Sequence, residues 1–295
     1  MGQFTSTSFE PVIKWSGSKR SQCGEIVSKF PDTISTYYEP FIGGGSVLRC
    51  LMESGEHHVG KFIASDLNDG LINLWKSIRD CPRMVVSHYS DLWHQMNDGN
   101  HDKAFKRSFF NSIRERYNKE HSPLDFMFIM RTTTNGMPRY NSAGDFNNSF
   151  HITRDGIHPD SLGRIVTEWS RLLNRNQVEF ICRTFADVCP QNGDFVYLDP
   201  PYANTKGMYF GGFDNAELFR WLDDANKKRC KWAMSYAGKA GDEDLTYKVP
   251  ACLYKKHMYI ISGNSSFRRV IGKSRDTMVY ESLYLNYEPE EHGLF

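Results

Sequence analysis

The chain has 295 residues, a formal net charge of +1, 40% hydrophobic and 14% aromatic residues. That length holds one large domain, or one core domain carrying an insertion, and the composition excludes a disordered chain. With so little net charge a nucleic-acid-binding face has to be a local patch, and no run approaches the ~18 apolar residues of a membrane span.

Met1-Gly2-Gln3-Phe4-Thr5 lacks the basic and apolar regions of a secretion signal. The seven cysteines are scattered with no CxxC pair, which argues against a zinc site or a disulfide framework. Free thiols in a reducing cytoplasm are the expectation. The ten histidines show no ligand spacing, so no metal is expected. In chain order, Lys14-Trp15-Ser16-Gly17-Ser18-Lys19-Arg20 comes first, one aromatic and three cations around a tight turn. Lys14 or Lys19 can pair with the carboxylate of an amino-acid-like ligand; a solvated basic turn is the other reading. Tyr37-Tyr38-Glu39-Pro40-Phe41 reads as a strand that runs into Ile42-Gly43-Gly44-Gly45-Ser46. Glycines there let the backbone approach a ligand. A helix is expected from Ser46 through Val47, Leu48, Leu51 and Met52, then a strand at Phe62-Ile63-Ala64-Ser65. Asp66 follows it, where an acid in a Rossmann-like sheet bonds ribose hydroxyls. The glycines fit neither GxGxxG nor a phosphate loop, so a nucleoside without phosphates fits better, and S-adenosylmethionine is the common one.

Residues 71–169 change character to helical periodicity, as at Phe105, Phe109 and Ile113. Within them 131–159 is polar, rich in Asn and Gly, and too long for an ordinary connection. Strand-like runs resume at Val178-Glu179-Phe180-Ile181, Phe195-Val196-Tyr197-Leu198, Lys231-Trp232-Ala233-Met234-Ser235 and 277–285. One doubly wound sheet interrupted by a helical insertion accounts for this order. The run at Phe195 ends in Asp199-Pro200-Pro201-Tyr202. Two prolines fix two φ angles and remove two donors, so the turn is stiff. Asp199 and the Pro200 carbonyl can accept two N–H bonds from the amino group of a flat heterocycle, and Tyr202 can stack on its ring. The segment after it, 203–214, is glycine-rich and polar and is expected to be a mobile cover. Arg131, Arg139 and Arg154 in the insertion, and Lys255-Lys256-His257, Arg268-Arg269, Lys273 and Arg275 later, concentrate positive charge that can face phosphates.

These motifs resemble the Dam-like, or D12 class, DNA adenine-N6 methyltransferases. The resemblance rests on KWSGSKR (14–20), EPFIGGGSV (39–47), SDLN (65–68), TNGMPRYN (134–141), GDFN (144–147), FADV (185–188), DPPY (199–202) and YESLYLNY (280–287). Their order looks like that of the α group. The resemblance implies a Rossmann-like class I methyltransferase sheet, with a catalytic domain of residues 1–70 and 171–295 and a helical target-recognition domain of residues 71–170. It implies S-adenosyl-L-methionine as methyl donor. Lys14 and Trp15 would lie near its methionine end and Lys19 near the site. Glu39, Phe41, Gly43 and Gly45 would line its pocket, Asp66 would bind the ribose, and Leu67, Phe185, Ala186 and Asp187 would flank the adenine. Asp199, Pro200 and Tyr202 would hold the target adenine, flipped from double-stranded DNA. Arg139 matches the family's base-reading arginine, whose fork suits guanine O6 and N7; Asn135, Tyr140 and Arg154 are the further DNA-contact candidates. Ser149-Phe150-His151-Ile152-Thr153-Arg154 departs from the FGxR-like continuation of GATC enzymes, so GATC and another adenine-containing site both stay open. The rival readings are an amino-methyltransferase on cytosine N4, RNA or protein glutamine, and a catalytically silent DNA-binding relative. Asp at 199 in place of Ser or Asn argues against the cytosine and glutamine versions. No residue specifies whether a restriction nuclease accompanies the enzyme.

Overall fold

A computed structural model describes residues 10–201, 213–241, 243–264 and 278–290. Among the described residues eight strands form one sheet: β1 (Thr33–Glu39), β2 (His58–Asp66), β3 (Glu179–Cys182), β4 (Phe195–Leu198), β5 (Lys231–Ala240), β6 (Glu243–Asp244), β7 (Lys256–Asn264) and β8 (Met278–Leu285). Their order is β3-β2-β1-β4-β5-β8-β7, with β6 paired to β5. The first five strands of that order pair in parallel, and β8 runs antiparallel to both β5 and β7. Strand order reverses between β1 and β4. The chain segments leaving these two strands diverge there and open a crevice at their carboxyl ends. The glycine turn leaves β1 at this point and the Asp199 turn leaves β4, so topology alone brings the two motifs together.

The four residues of β4 are all buried, which is why the run reads as continuously apolar. The expected strands at Tyr37 and Phe62 exist but begin earlier, at Thr33 and His58. Their amino-terminal halves are polar and partly exposed, so apolar content marks only the inner half of each strand. The strand β7 was not expected. Its opening residues Lys255-Lys256-His257 were read as a charge cluster, yet Lys255 N donates to Leu285 O at 2.8 Å and the His257 ring stacks on Tyr284 at 4.4 Å.

Helices α1 (Cys23–Val27) and α2 (Ser46–Ser54) flank β1 in sequence, and α8 (Asn215–Lys227) lies between β4 and β5. Between β2 and β3 run α3 (Asp69–Asp80), α4 (Pro82–Asn97), α5 (Lys103–Glu120), α6 (Pro123–Thr132) and α7 (Pro159–Arg175). Trp75 of α3 stacks on Phe180 of β3 at 5.6 Å and meets Trp169 of α7 at 4.9 Å. These two helices therefore cover the sheet itself, and one apolar core continues from them into α4, α5 and α6. Buried Asp125 of α6 ties the outer helices together, bonding His88 of α4 and Arg116 of α5, each at 2.7 Å. The polar stretch 131–159 is a closed loop. It holds a single 3-10 turn at Thr134–Gly136 and two isolated bridges, Thr133 to Phe150 and Tyr140 to Phe146. Asn148 Nδ2 fastens it by donating to Thr134 O at 3.0 Å and Met137 O at 2.7 Å.

Candidate active site

A cavity of about 490 Å³ lies in the crevice between β1 and β4, within the ~300–1,000 Å³ of small-molecule sites. Its wall takes in Trp15 to Lys19, the glycine turn, Asp66 to Asn68, Arg183 to Phe185 and Asp199 to Pro201.

The glycine turn is shaped by its neighbours. Gly43 has φ +45°, and a Cβ there would lie 2.9 Å from Trp15 Cδ1. Gly45 has φ +68°, and a Cβ would lie 3.0 Å from Trp75 and 3.2 Å from Trp169. A side chain at either position needs a rarely adopted backbone conformation and collides with an indole. Trp75 Nε1 donates to Gly43 O at 3.1 Å, and Ser18 Oγ meets Ser46 Oγ at 2.8 Å. The basic turn before β1 is thereby fixed onto the start of α2.

Asp66 closes β2. Its carboxylate accepts from Asn68 N at 3.1 Å and from Gly43 N at 3.4 Å. Burial nevertheless pushes its carboxyl up to about 6. Glu39 closes β1 and is buried; burial, with the nearby Asp199 carboxylate adding to it, pushes it up to about 8, although Tyr37 donates to it at 2.6 Å. On the wall of the cavity Phe41 meets Phe185 at 5.6 Å, and Phe213 meets both, at 6.0 and 5.8 Å. This is an apolar, aromatic slot beside a carboxylate acceptor.

Lys19, also on the cavity wall, is 4% exposed, and its ammonium lies 2.7 Å from Asp199 Oδ2 and 3.3 Å from Glu281 Oε2. It also donates to Gly17 O at 3.1 Å. Burial alone would lower its pKa; Asp199 and Glu281 outweigh burial and hold it above its ordinary value. The Asp199 carboxylate thus sits in a fixed place, one oxygen engaged by a cation anchored from β8.

Of the residues proposed for the donor, Trp15, Lys19, Glu39, Phe41, Gly43, Gly45, Asp66, Leu67, Phe185 and Asp199 line this cavity, as does Pro200. Lys14, Ala186 and Asp187 do not, and Asp187 faces solvent. Tyr202, most of 203–214, and Arg268, Arg269, Lys273 and Arg275 lie outside the described residues. Lys14 lies against the 131–159 loop: a Cβ on Gly136 would lie 2.6 Å from Lys14 Cγ. Burial lowers the Lys14 pKa, and the nearby cations Arg154 and Arg131 lower it further. Burial and the same Arg154 and Lys14 also lower His151. Lys14 and Arg154 form a local positive face at the seam between the amino-terminal turn and the insertion. Asn135, Arg139 and Arg154 are exposed on it. Arg131 is turned inward, donating to Pro11 O, and burial lowers its pKa to about 10. Tyr140 also turns inward, its hydroxyl 2.7 Å from Asn68 Nδ2.

Sequence reading missed Glu281, Arg183, Met137 and Pro138 as site residues. Arg183 follows β3, lines the cavity and lies 5.9 Å over the Tyr38 ring, with Nε and Nη2 buried and unbonded. Met137 and Pro138 stand inside the TNGMPRYN motif, and Glu281 inside YESLYLNY. The motifs marked the segments without saying which side chains turn toward the cavity.

Among known proteins, the description of the D12 class N6 adenine-specific DNA methyltransferases matches residues 15–261, most of the chain. The chain belongs to this family. Its activity is accordingly site-specific methylation of adenine N6 in DNA. Type II methyltransferase M.MjaIII of Methanocaldococcus jannaschii is 28% identical over 307 residues, covering 94% of this chain and 99% of that protein. Type II methyltransferase M.FokI of Planomicrobium okeanokoites is 25% identical over 299 residues, covering 96% of this chain and 44% of that protein. The DNA adenine methylase of Haemophilus influenzae is 26% identical over 196 residues, covering 65% and 64%. This D12 class methyltransferase has no group of three or more metal-ligating side chains among the described residues. None of their helices is long and apolar enough to cross a membrane.

Proposed function

We propose that the methyl donor is S-adenosylmethionine, bound in the cavity between β1 and β4, and that the acceptor is an adenine flipped out of double-stranded DNA onto the Asp199-Pro200 turn. One observation carries the reading: a single cavity of about 490 Å³ is lined by the aromatic rings Phe41, Phe185 and Phe213, by Asp66 and by the Lys19-anchored Asp199. The chemistry of the wall fits the donor. Phe41, Phe185 and Phe213 supply flat apolar faces for its adenine, Asp66 accepts from the ribose diol, and Trp15 and the glycine turn border the methionine portion. Bound there, the donor supplies an electrophilic methyl group on a sulfonium.

The chain does the rest by placement. Adenine N6 is a poor nucleophile because its lone pair is delocalised into the ring. Asp199 and the Pro200 carbonyl accept its two N–H bonds, which favours a more tetrahedral nitrogen with a localised pair. The bound donor would supply its methyl carbon to N6 prepared in this way, with a neutral thioether as the leaving group. The alkylated nitrogen is strongly acidic and loses its proton afterwards, so Asp199 need not be a strong base. Alignment of the two reactants accounts for much of the gain, and the Asp199 carboxylate stabilises positive charge growing on nitrogen. Lys19 keeps that carboxylate in place.

A stacked adenine cannot reach this crevice, so it must leave the duplex, at a cost of a few kcal/mol. Tyr202 stacks on it in this reading. The positive seam of Lys14 and Arg154 takes phosphates, and Arg139 and Asn135 read bases. Residues 71–170 serve as the recognition unit, with α3 and α7 as its foundation on the sheet and α4 to α6 and the 131–159 loop as its outer part. A cytoplasmic location follows from the DNA substrate. The test replaces the methylated adenine by 2-aminopurine and titrates the protein. The expected result is a rise in fluorescence as the base unstacks, and saturable S-adenosylmethionine binding that Asp66→Ala weakens. Binding of the duplex with no fluorescence change would overturn the flipping step.

A further inference from the structure

Tyr140 belongs to the segment that carries Asn135 and Arg139, yet its hydroxyl points away from the DNA face. It accepts from Asn68 Nδ2 at 2.7 Å and is hydrogen-bonded to Tyr117 of α5. Asn68 is 3% exposed and has no freedom to follow a moving partner. Its Oδ1 caps α3 by accepting from Leu71 N at 3.0 Å, and its own N–H is bonded to Asp66 at 3.1 Å. The other end of the segment is fixed as well: Ser16 N, next to Trp15, donates to Gly136 O at 3.1 Å. Between these two ties Met137 and Pro138 form part of the cavity wall. Arg139, the next residue, is exposed. One segment of six residues is therefore wall of the donor cavity on one side and base reader on the other.

We propose that Tyr140 is a positioning residue and not a base reader: its tether to Asn68 fixes the Asn135 to Tyr140 segment to the donor cavity, so that donor and DNA bind cooperatively. The inference rests on the reading of the cavity as the donor site. A ligand touching Asp66, Met137 and Pro138 narrows the positions open to Arg139 before DNA arrives, and the second ligand meets a segment already ordered. Coupling of this kind is reciprocal.

The experiment measures the dissociation constant of S-adenosylhomocysteine with and without a duplex carrying the methylated site, and that of the duplex with and without S-adenosylhomocysteine. The wild-type chain is expected to give the same coupling factor from both directions, about 5 or more. Tyr140→Phe removes the hydroxyl and with it the bonds to both Asn68 and Tyr117; loss of the tether to Asn68 is expected to lower the factor about fivefold, the worth of one hydrogen bond. Asn68→Ser keeps a helix-capping oxygen but loses the reach to Tyr140, and is expected to lower it as much. The double variant should lose no more than either single one. A wild-type factor of one overturns the inference, as do a Tyr140→Phe factor equal to wild type and additive losses in the double variant. If S-adenosylhomocysteine shows no saturable binding at all, the donor reading fails and this inference falls with it; if both ligands bind and only the coupling is absent, the donor reading stands.

Discussion

Asp199 carries the chemistry in this account, and its surroundings explain why a carboxylate suits the place. A half-exposed acid at a strand end would rotate freely; here one oxygen is fixed 2.7 Å from a buried ammonium. Asp199→Ala is expected to abolish methyl transfer while S-adenosylmethionine binding, measured by equilibrium dialysis, stays within about tenfold, because the aromatic slot and Asp66 are untouched. A fully active Asp199→Ala would place the target base elsewhere. Asp66 has its own signature. Its carboxyl is raised to about 6 by burial, and a ribose diol is better accepted by the ionised form. Donor affinity is therefore expected to weaken as pH falls below about 6, a dependence that Asp66→Asn should remove. A pH-independent affinity in the unmodified chain would contradict the ribose role.

At the scale of elements, the β1 turn and the amino-terminal basic turn form one unit through Trp15, Trp75 and the glycines. Gly45→Ala combines a left-handed backbone with a 3.0 Å approach to Trp75. It is expected to cost about 1–3 kcal/mol in urea unfolding, with donor affinity falling in parallel. The same elements show what a sequence can disclose. β4 was legible residue for residue because all four of its side chains are buried, and α2 because its apolar positions follow a left-handed glycine cap. β7 was not legible, because an edge strand with one covered face mixes Lys, His, Tyr and Ile. The direction of Tyr140 and Arg131 was equally hidden. A polar loop gives no periodicity from which inside and outside can be read, and only the contacts with Asn68 and Pro11 decide it. The resemblance put Lys14 beside Trp15 at the donor; Trp15 lines the cavity, and Lys14 lies against Gly136.

For the whole molecule, burial of two carboxyls at the switch point sets a pH dependence of stability. Asp66 and Glu39 are raised to about 6 and about 8, so the folded chain holds more protons than the unfolded chain between about pH 4 and about pH 8. Their contribution to stability is fully present below their unfolded values and is lost as pH rises through 6 and then 8. The urea midpoint is expected to fall between about pH 4 and about pH 8, and Glu39→Gln should flatten the upper part of that fall. An unchanged slope in the variant would show that Glu39 titrates normally. In the same crevice the Lys19 ammonium lies 2.7 Å from Asp199.

The central claim is that the Asp199 turn and the β1 cavity together transfer a methyl group to adenine N6. It is tested most directly by incubating the protein with duplex DNA and S-adenosylmethionine labelled in the methyl group, then digesting the DNA to nucleosides. The account predicts label in N6-methyladenine, in the unmodified chain and not in Asp199→Ala. Label in N4-methylcytosine, or label that survives loss of Asp199, would contradict it.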